Sequence, residues 1–456
     1  MRLSRDRIRA HVKYDLPITF SNERISAHGG LELFRRYLVA IHLPGRLRQA
    51  LGDGGDYGAV RLVLAVVGLL VAGGRRLAHL PVLSRDPVFL RFVGLHQLPA
   101  ARTVARWMAG ASQTVVEAVA SLVRDVAHDA IEKLRLARLT LDADGTVLRV
   151  CGSAEGAERG FSPHHPKDRS YYPLTAHLAQ TGHLLRVWNR PGNIHDSHNA
   201  EGFLRTVIQD LRARFGCSPR LEVRLDGAFF HPEILRFLDG EGLDYAIKVP
   251  LWKWLGLRER IAARSHWKPV DATVSGFEVI LPIAQWDRIQ RVVVYRKRVF
   301  HETARNFQLD LFTPDDGHYE YSAVATNLSL GVAALWHFMA GRGGHEKTLG
   351  ELKQQLAFDA IPSHDLQVNA LWQQLSVLAH NLVRSFQLCL GAPARPRSRK
   401  RTFLFVFRSL QTLRFTLLSQ PARIVRPAGR AELRFSVSPL TQQRIEDAAR
   451  RLQYVA

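Results

Sequence analysis

Residues 139–150 read Leu-Thr-Leu-Asp-Ala-Asp-Gly-Thr-Val-Leu-Arg-Val, and in this stretch apolar residues alternate with polar ones. A period of two is typical of a β-strand with one buried face. Downstream, strand patterns interleave with helical patterns, with strands at Tyr172–Ala179, His183–Trp188, Leu221–Leu225 and Asp244–Val249 and helices at Asn199–Phe215 and His231–Leu238. Such interleaving predicts an α/β protein whose sheet is covered on both faces.

The residues before this stretch have helical patterns. Val60–Val71 is apolar almost all round, which predicts an internal helix. Pro99–Met108 and Thr114–Leu136 are separated by a Gly-Ala-Ser break, with Arg102 and Arg106 on the first of the two segments. This arrangement fits either a helix-turn-helix that contacts DNA or an ordinary helical hairpin.

The pattern changes again after residue 250. Strands are predicted at Thr273–Pro282, Gln290–Val299, Phe307–Thr313 and Glu320–Thr326, followed by helical patterns at Gly331–Leu356 and Asp365–Leu390. A basic run broken by proline, Arg395–Arg401, is predicted to be an exposed linker to a basic tail. We therefore expect a helical region (1–135), a core in two parts (136–250 and 326–392), a β-rich insertion (251–325) and a basic C-terminal region (393–456).

The amino-acid composition narrows the classes of function that the protein could have. The 456 residues include 63 Lys and Arg against 41 Asp and Glu, a net charge of +22, which favours binding to nucleic acid. Three distant cysteines exclude a Cys-x-x-Cys zinc module, and the longest apolar run, 62–74, is too short to span a bilayer. The charged segment Met1–Asp15 does not match a secretory signal, so we expect a cytoplasmic protein without a membrane partner. A Walker A motif is absent from the sequence, so we expect no nucleotide cofactor.

Acidic residues stand where the predicted strands end. Asp142 and Asp144 are two positions apart, so both carboxylates share one face of their strand, and Asp226 ends a later strand. Ligands of open α/β sheets gather beyond the carboxyl ends of strands, so these groups could converge on a divalent ion. Asp144 and Asp226 are each followed directly by Gly, and Asp142 lies three positions before one. Each of these aspartates could therefore simply belong to a turn, which is the alternative interpretation.

A third acidic position lies on a predicted helix. Arg342, Glu346 and Lys353 fall within a narrow stripe of one helix face at about 100° per residue. A solvated ladder of ion pairs would have the same spacing. Together, however, three carboxylates and a basic stripe are what two-metal phosphodiester chemistry needs, with Mg²⁺ as the expected ion and Mn²⁺ as a substitute.

These motifs resemble those of DDE transposases of bacterial insertion sequences, in particular the IS1380 family of the IS4 superfamily. The superfamily pattern Tyr-x2-Arg-x3-Glu-x6-Lys is matched at three of four positions, with Met339 in place of Tyr. Asp142-Ala-Asp-Gly-Thr146 resembles the first motif of the family, and Arg224-Leu-Asp-Gly-Ala-Phe229 resembles the second. The segment Pro191–Asp196 between them is also similar to the family sequence.

The resemblance implies an RNase H-like core interrupted by the β-rich insertion. It implies a catalytic, metal-binding triad of Asp144, Asp226 and Glu346, with Asp142 as the alternative first carboxylate. It also implies that Arg342 and Lys353 contact DNA phosphates near the cleaved end. Met339 departs from the pattern, since a thioether cannot donate a hydrogen bond to a phosphate as a tyrosine does.

The resemblance further implies cut-and-paste transposition. The partners would be double-stranded DNA, as terminal inverted repeats and as target, and a second copy of the chain in a synaptic dimer, in the bacterial cytoplasm and on the nucleoid. Further candidates for DNA contact are the aromatic and basic residues Trp252, Lys253, Trp254, Arg397, Arg399, Lys400 and Arg401. Two other hypotheses remain open: a decayed or domesticated DNA-binding protein, and a host Mg²⁺-dependent nuclease of the same fold.

Overall fold

The computed structural model describes residues 15–160, 167–299, 319–396 and 399–454. Its strands are β1 (Ile25–Ser26), β2 (Arg138–Gly145), β3 (Leu148–Arg149), β4 (Glu158–Arg159), β5 (Arg169–Tyr171), β6 (Leu174–Leu178), β7 (Leu184–Trp188), β8 (Arg220–Leu225), β9 (Asp244–Val249), β10 (Lys268–Pro269), β11 (Val274–Ile283), β12 (Arg288–Arg298), β13 (Tyr319–Thr326), β14 (Ala422–Val425) and β15 (Glu432–Phe435).

The helices follow the same numbering from the N-terminus. They are α1 (Leu31–Ala40), α2 (Leu43–Leu51), α3 (Ala59–Ala72), α4 (Pro87–Val93), α5 (Ala101–Ala109), α6 (Gln113–Glu132), α7 (Ala200–Phe215), α8 (Pro232–Gly240), α9 (Leu257–Ala262), α10 (Val332–Ala340), α11 (Gly343–Leu356), α12 (Leu366–Cys389), α13 (Leu410–Leu413) and α14 (Pro439–Gln453). The chain is thus a mixed α/β protein, as the sequence patterns predict.

One large sheet organises the molecule. Within the described residues it has nine strands in the order β10-β11-β12-β13-β9-β8-β2-β6-β7. β2, β8 and β9 run parallel, whereas β6 is antiparallel to both β2 and β7. The carboxyl ends of β2, β8, β9 and β7 therefore meet at one edge of the sheet, which we call the carboxyl edge.

The predicted β-rich insertion extends this same sheet. β13 pairs antiparallel with β9, with Ala325 opposite Ile247, and β12 and β11 follow outward. The strands predicted at Thr273–Pro282, Gln290–Val299 and Glu320–Thr326 are confirmed within a few residues as β11, β12 and β13. The strand predicted at Phe307–Thr313 lies outside the described residues.

The two faces of the central strands differ in character. On one face, Leu141 and Val223 pack with their apolar neighbours against α7 and α8. On the other, which we call the polar face, β2 presents Thr140 and Asp142 and β8 presents Glu222 and Arg224, all of them buried. A buried row of polar groups is costly unless each group is paired, so this face needs specific partners.

A helical layer adjoins the sheet. The long helix α12 packs along α6 and contacts α3, and its side chains are buried along most of its length. α3 is buried almost all round, which confirms the internal helix predicted at Val60–Val71. The helix, break and helix predicted around residue 110 are present as α5 and α6, with both Arg102 and Arg106 exposed.

The helical pattern predicted at Gly331–Leu356 is confirmed, but it is divided into the two helices α10 and α11 at Gly341. A β-carbon on Gly341 would overlap the carbonyl oxygen of Lys400 and the guanidinium of Arg224. The C-terminal segment therefore crosses the chain closely at this point, and only glycine leaves room for it.

The run Arg395–Arg401, predicted to be an exposed linker, is exposed at Arg395, Arg399 and Lys400, but its end is anchored on the polar face. The carbonyl oxygens of Lys400 and Arg401 accept hydrogen bonds from Arg224, and the Leu404 amide donates to Gln180. Beyond this crossing the tail folds back, because β14 pairs with β1 and α14 packs on α1. In the part of the chain that the structure describes, no helix is long and apolar enough to span a bilayer.

Candidate active site

Asp144 and Asp226 meet at the carboxyl edge because of strand register. Asp142 on β2 lies opposite Arg224 on β8, and each aspartate of the pair stands two residues further along its strand. The strands are parallel, so both carboxylates emerge at the same level and on the same face. The sequence-based expectation that strand ends bring these groups together matches the structure.

The guanidinium of Arg342 lies between the two carboxylates. Its Nη2 is 2.7 Å from Oδ2 of Asp144 and its Nη1 donates a 2.9 Å hydrogen bond to Oδ2 of Asp226. The side chain is only 5% exposed. Burial alone would lower the pKa of Arg342, but Asp144 and Asp226 outweigh burial and raise it, so the group stays charged.

The pKa values of the two aspartates shift in opposite directions, although both carboxylates contact Arg342. Burial raises the pKa of Asp144 to about 7, because Arg342 only partly offsets burial and the charges of Asp226 and Asp196 add to it. For Asp226, burial is outweighed by Arg342, by Lys248 at 3.7 Å and by the Gly227 amide, which together lower its pKa. The site thus holds one carboxylate that ionises easily and one that ionises near neutrality.

Glu346 and Lys353 occupy α11, next to the aspartate pair. Glu346 stands in the first turn, exposed, and its charge helps to raise the pKa of Asp144. Lys353 donates a 3.0 Å hydrogen bond from Nζ to the carbonyl oxygen of Val147, just beyond the end of β2, and burial lowers its pKa. The structure therefore brings Arg342 and Lys353 to the carboxyl edge and places Glu346 on the same helix, about one turn after Arg342. Met339 lies in α10, partly buried against the apolar cluster around Phe338.

Asp142 has a different environment from Asp144. It is completely buried and accepts two 2.6 Å hydrogen bonds from Nε and Nη2 of Arg224. Nη1 of Arg224 donates to the carbonyl oxygen of Phe338 at 2.7 Å, so this arginine joins β2, β8 and α10. The sequence analysis did not predict this role of Arg224. A signal was present, because Arg224 precedes Asp226 by two positions and therefore shares its face of the strand. Asp142 precedes Asp144 in the same way.

A pair of histidines completes the polar face. Nδ1 of His345 is 2.7 Å from Nδ1 of His177, and Nε2 of His345 is 2.9 Å from the hydroxyl of Thr175. Burial lowers the pKa of both imidazoles well below the ordinary range, so both are neutral. His177 lies opposite Asp142 in the register of β6 and β2, a pairing that the sequence alone did not indicate.

A further carboxylate borders the site. Asp196 accepts a 2.8 Å hydrogen bond from the Tyr172 hydroxyl and is 3.2 Å from Arg190, which is itself buried. A β-carbon on Gly145 would overlap both Asp196 and Tyr172, so the glycine that follows Asp144 permits the close approach of this loop. The family-like segment Pro191–Asp196 therefore forms the wall of the site beside β2.

Trp252 and Trp254 follow the carboxyl end of β9, and we call this pair the tryptophan wall. The rings of Trp252 and Trp254 stack at 5.4 Å with an angle of 22°, and their side chains are 38% and 44% exposed. Trp286 packs edge-on against both, and Lys253 lies exposed between them in sequence. Because Lys248 on β9 approaches Asp226, this aromatic pair stands at the same edge of the sheet as the aspartates.

The basic run predicted to contact DNA has mixed placement. Arg399 and Lys400 are exposed, whereas Arg401 pairs with the fully buried Glu222 on the polar face. Arg397 lies outside the described residues. Within those residues, no group of three or more His, Cys, Asp and Glu side chains is close enough to hold a metal ion.

Comparison with known proteins defines the class. A sequence-family model of DDE transposase domains matches residues 10–456, so the chain is a DDE transposase, a member of a class of enzymes that cleave DNA and transfer strands. The family is transposase DDE domain group 1, and the chain belongs to it. No match was found among curated proteins. A solved structure of piggyBac transposase in a synaptic complex with hairpin DNA is similar, with 11% identity, a TM-score of 0.45 and coverage of 93% of this chain and 85% of that one.

Proposed function

We propose that this transposase cuts the ends of an insertion sequence of the IS1380 type and joins them to target DNA, with Asp144, Asp226 and Glu346 as its catalytic triad. The observation that carries the proposal is the convergence of Asp144 and Asp226 on one cation at the carboxyl edge, with Glu346 on the adjacent helix. The strand order β7-β6-β2-β8-β9, in which only β6 is antiparallel, supports an RNase H-like core.

The aspartate pair fits a divalent cation. Both Oδ2 atoms already face a positive group, the Arg342 guanidinium, and hard carboxylate oxygens are the ligands that Mg²⁺ and Mn²⁺ prefer. Asp144, Asp226 and Glu346 would hold the ions. Bound there, two such ions activate an attacking oxygen and stabilise the leaving oxygen of a phosphodiester.

The protein's own residues would position the DNA. If the aspartates held metal ions, Arg342 would have to give up its contacts with them, and its Nε has no hydrogen-bond acceptor among the described residues. The freed guanidinium can then bind a phosphate oxygen beside the cleaved bond. Water first attacks the phosphodiester at the element end and releases a 3′-hydroxyl. That hydroxyl then attacks a target phosphodiester, so one P–O bond forms as another breaks.

The two walls would hold the end of the DNA. The exposed faces of Trp252 and Trp254 can stack on an unpaired base, with Lys253 near the backbone. Exposed Arg102, Arg106, Arg399 and Lys400 can contact phosphates of the terminal inverted repeat or the target. We propose that two copies of the chain act together in a synaptic dimer on double-stranded DNA.

A cleavage assay tests this function. Purified protein, Mg²⁺ or Mn²⁺ and a labelled duplex carrying the element end are combined, with Asp226→Asn and Glu346→Gln as variants and exposed Glu233→Gln as the matched control. We expect cutting at the end by the wild type and by the control, and none by the other two. If the wild type binds the DNA end tightly but does not cut it, the proposal of an active enzyme is contradicted and a decayed DNA-binding protein is favoured. Cutting without joining of a 3′ end to plasmid DNA would favour a nuclease.

A further inference from the structure

Arginines from both ends of the chain gather around two neighbouring cavities of the helical layer. A cavity of about 450 Å³ is lined by Arg24, Arg36, Arg91 and Arg426, and a second of about 200 Å³ by Arg35, Arg48, Arg61 and Arg91. Arg91 borders both cavities, so they form one continuous surface, which we call the arginine surface. Five of its arginines lie on α1–α4, Arg24 immediately precedes β1 and Arg426 immediately follows β14, and none comes from β2, β8 or α11.

A buried glutamate organises the arginine surface. Glu32 on α1 lies 2.8 Å from Arg35, 3.1 Å from Arg91 and 3.4 Å from Arg36, although it is almost inaccessible to solvent. Burial would raise the pKa of Glu32, but Arg35 and Arg91 outweigh burial and lower it. One carboxylate therefore anchors three guanidinium groups, two of which remain about half exposed.

Positive charge on this surface is in excess. Among the described residues, the seven arginines of this surface are balanced by Glu32, by Glu432 at the rim of the larger cavity, and by Asp53, which pairs with Arg48 and Arg61. Four positive charges are left. Every cation of the arginine surface is an arginine, whose planar fork of donors matches phosphate oxygens in a bidentate manner.

We infer that the arginine surface binds the sugar-phosphate backbone of double-stranded DNA, away from the cleaved bond. This inference rests on the proposed function, since it takes DNA as the substrate. An extended polyanion fits better than a single small anion, because the charges spread over two cavities rather than around one point. The surface would hold a stretch of the element's DNA while the carboxyl edge acts on its end.

Salt dependence of DNA binding tests the inference. The variant Arg24→Gln/Arg36→Gln/Arg426→Gln keeps Arg35 and Arg91 on Glu32, so the buried carboxylate stays paired. The control Arg205→Gln/Arg212→Gln/Arg214→Gln removes the same charge from α7. Affinity for a long duplex is measured from about 50 to 200 mM salt.

The logarithm of the binding constant falls with the logarithm of the salt concentration. We expect this dependence to become less steep by about two to three in the first variant, since each lost phosphate contact removes about 0.9 from the slope. The control should keep the slope of the wild type. Cleavage by the first variant should persist at saturating protein, because its triad is intact. Equal slopes for the two variants would overturn the inference while leaving the proposed function standing.

Two further outcomes are decisive. If the wild type itself binds no DNA, the proposed function and the inference both fail. If the triple variant unfolds, Arg426→Gln alone serves, since Arg426 is exposed and is not one of the three arginines that hold Glu32. This single variant should reduce the salt slope by about one, and an unchanged slope would overturn the inference.

Discussion

At the scale of the residue, Asp142 and Asp144 differ by two positions and yet occupy contrasting environments. Asp142 is sealed beneath the edge by Arg224, whereas Asp144 stands at the edge beside Arg342. The strand period puts both on one face, and only depth in the sheet separates them. A carboxylate locked in two hydrogen bonds to a buried arginine is poorly suited to bind an ion, which is why we prefer Asp144 as the first catalytic carboxylate.

Asn substitutions should separate the two aspartates. Asp142→Asn leaves Arg224 buried without its counter-charge, so we expect a loss of about 3–5 kcal/mol in the free energy of unfolding. Asp144→Asn should abolish cleavage and change stability little, since Asp144 is partly exposed and Arg342 keeps Asp226 as a partner. Urea unfolding and the cleavage assay measure the two effects. Loss of cleavage at unchanged stability in Asp142→Asn would reverse the assignment.

Arg342 competes with metal for the aspartate pair in this proposal. Arg342→Gln should therefore bind Mn²⁺ more tightly, by about tenfold, which corresponds to about 1.4 kcal/mol, and should nevertheless cleave DNA less well. Calorimetric titration with Mn²⁺ measures the affinity. Arg384→Gln is the control, because it removes a buried arginine that pairs at 2.5 Å with Glu351. Weaker Mn²⁺ binding by Arg342→Gln than by this control would contradict the competition.

At the scale of the element, the crossing of the C-terminal segment over the polar face is the feature that connects distant parts of the chain. Glu222 on β8 is fully buried and has three partners, namely Arg138, Thr140 and Arg401. Arg401 also lies over the ring of Phe338 in α10, at 5.2 Å. The segment thus closes a face that would otherwise expose a row of charged groups.

Stability should depend on Arg401 and not on its exposed neighbour. Arg401→Gln leaves Glu222 with one cation fewer, so we expect about 1–3 kcal/mol lower free energy of unfolding. Arg399→Gln removes the same charge from the exposed part of the segment and should stay within about 0.5 kcal/mol of the wild type. Urea denaturation of both variants checks this. Equal effects would mean that the segment does not support the polar face.

The tryptophan wall should act on unpaired bases. Trp254→Ala removes the more exposed stacking ring, and stacking on one base contributes about 1–3 kcal/mol. We therefore expect about tenfold or greater loss of affinity for an element end with an unpaired terminal base, with less change for a fully paired duplex. Trp254→Phe retains an aromatic face and should recover most of the affinity. If affinity falls equally for the end with an unpaired base and for the fully paired duplex, the Trp254 ring serves only to pack against its neighbours.

At the scale of the whole molecule, buried neutral histidines couple stability to pH. Burial lowers the pKa of His128 to about 4 and that of His380 to about 3. Their unfolded value is 6.5, so between these limits the unfolded chain binds protons that the folded chain does not. Stability from these residues is complete well above pH 6.5 and is lost as the pH falls toward about 4 for His128 and about 3 for His380.

We therefore expect the free energy of unfolding to decrease between pH 7 and pH 5, by at most about 1.4 kcal/mol per pH unit for each such histidine. His128→Leu should make this decrease smaller, since leucine can pack against Phe215 without titrating. Exposed His266→Leu is the control and should leave the pH dependence unchanged. An equal decrease in His128→Leu and the wild type would contradict the argument.

The sequence by itself determined the periodic elements and the strand-end carboxylates. β2, β8 and the insertion strands follow from local alternation, because the exposed and buried sides of a strand repeat every two residues. The meeting of Asp144 with Asp226 followed from the same local rule, since parallel strands end at a common edge. Glu346 was predicted from its place in a sequence motif, and the recognition of a motif also needs no knowledge of tertiary contacts.

Only the tertiary structure decided which groups become partners. The bond of Arg224 to Asp142, the division of the predicted helix at Gly341, the closing of the polar face by Arg401 and the arginine surface all join residues that are distant in sequence. Such contacts depend on how layers pack and on which buried charge must be neutralised, and no local period encodes either. The sequence thus specified the strands and their chemistry, and packing specified what each charged group binds.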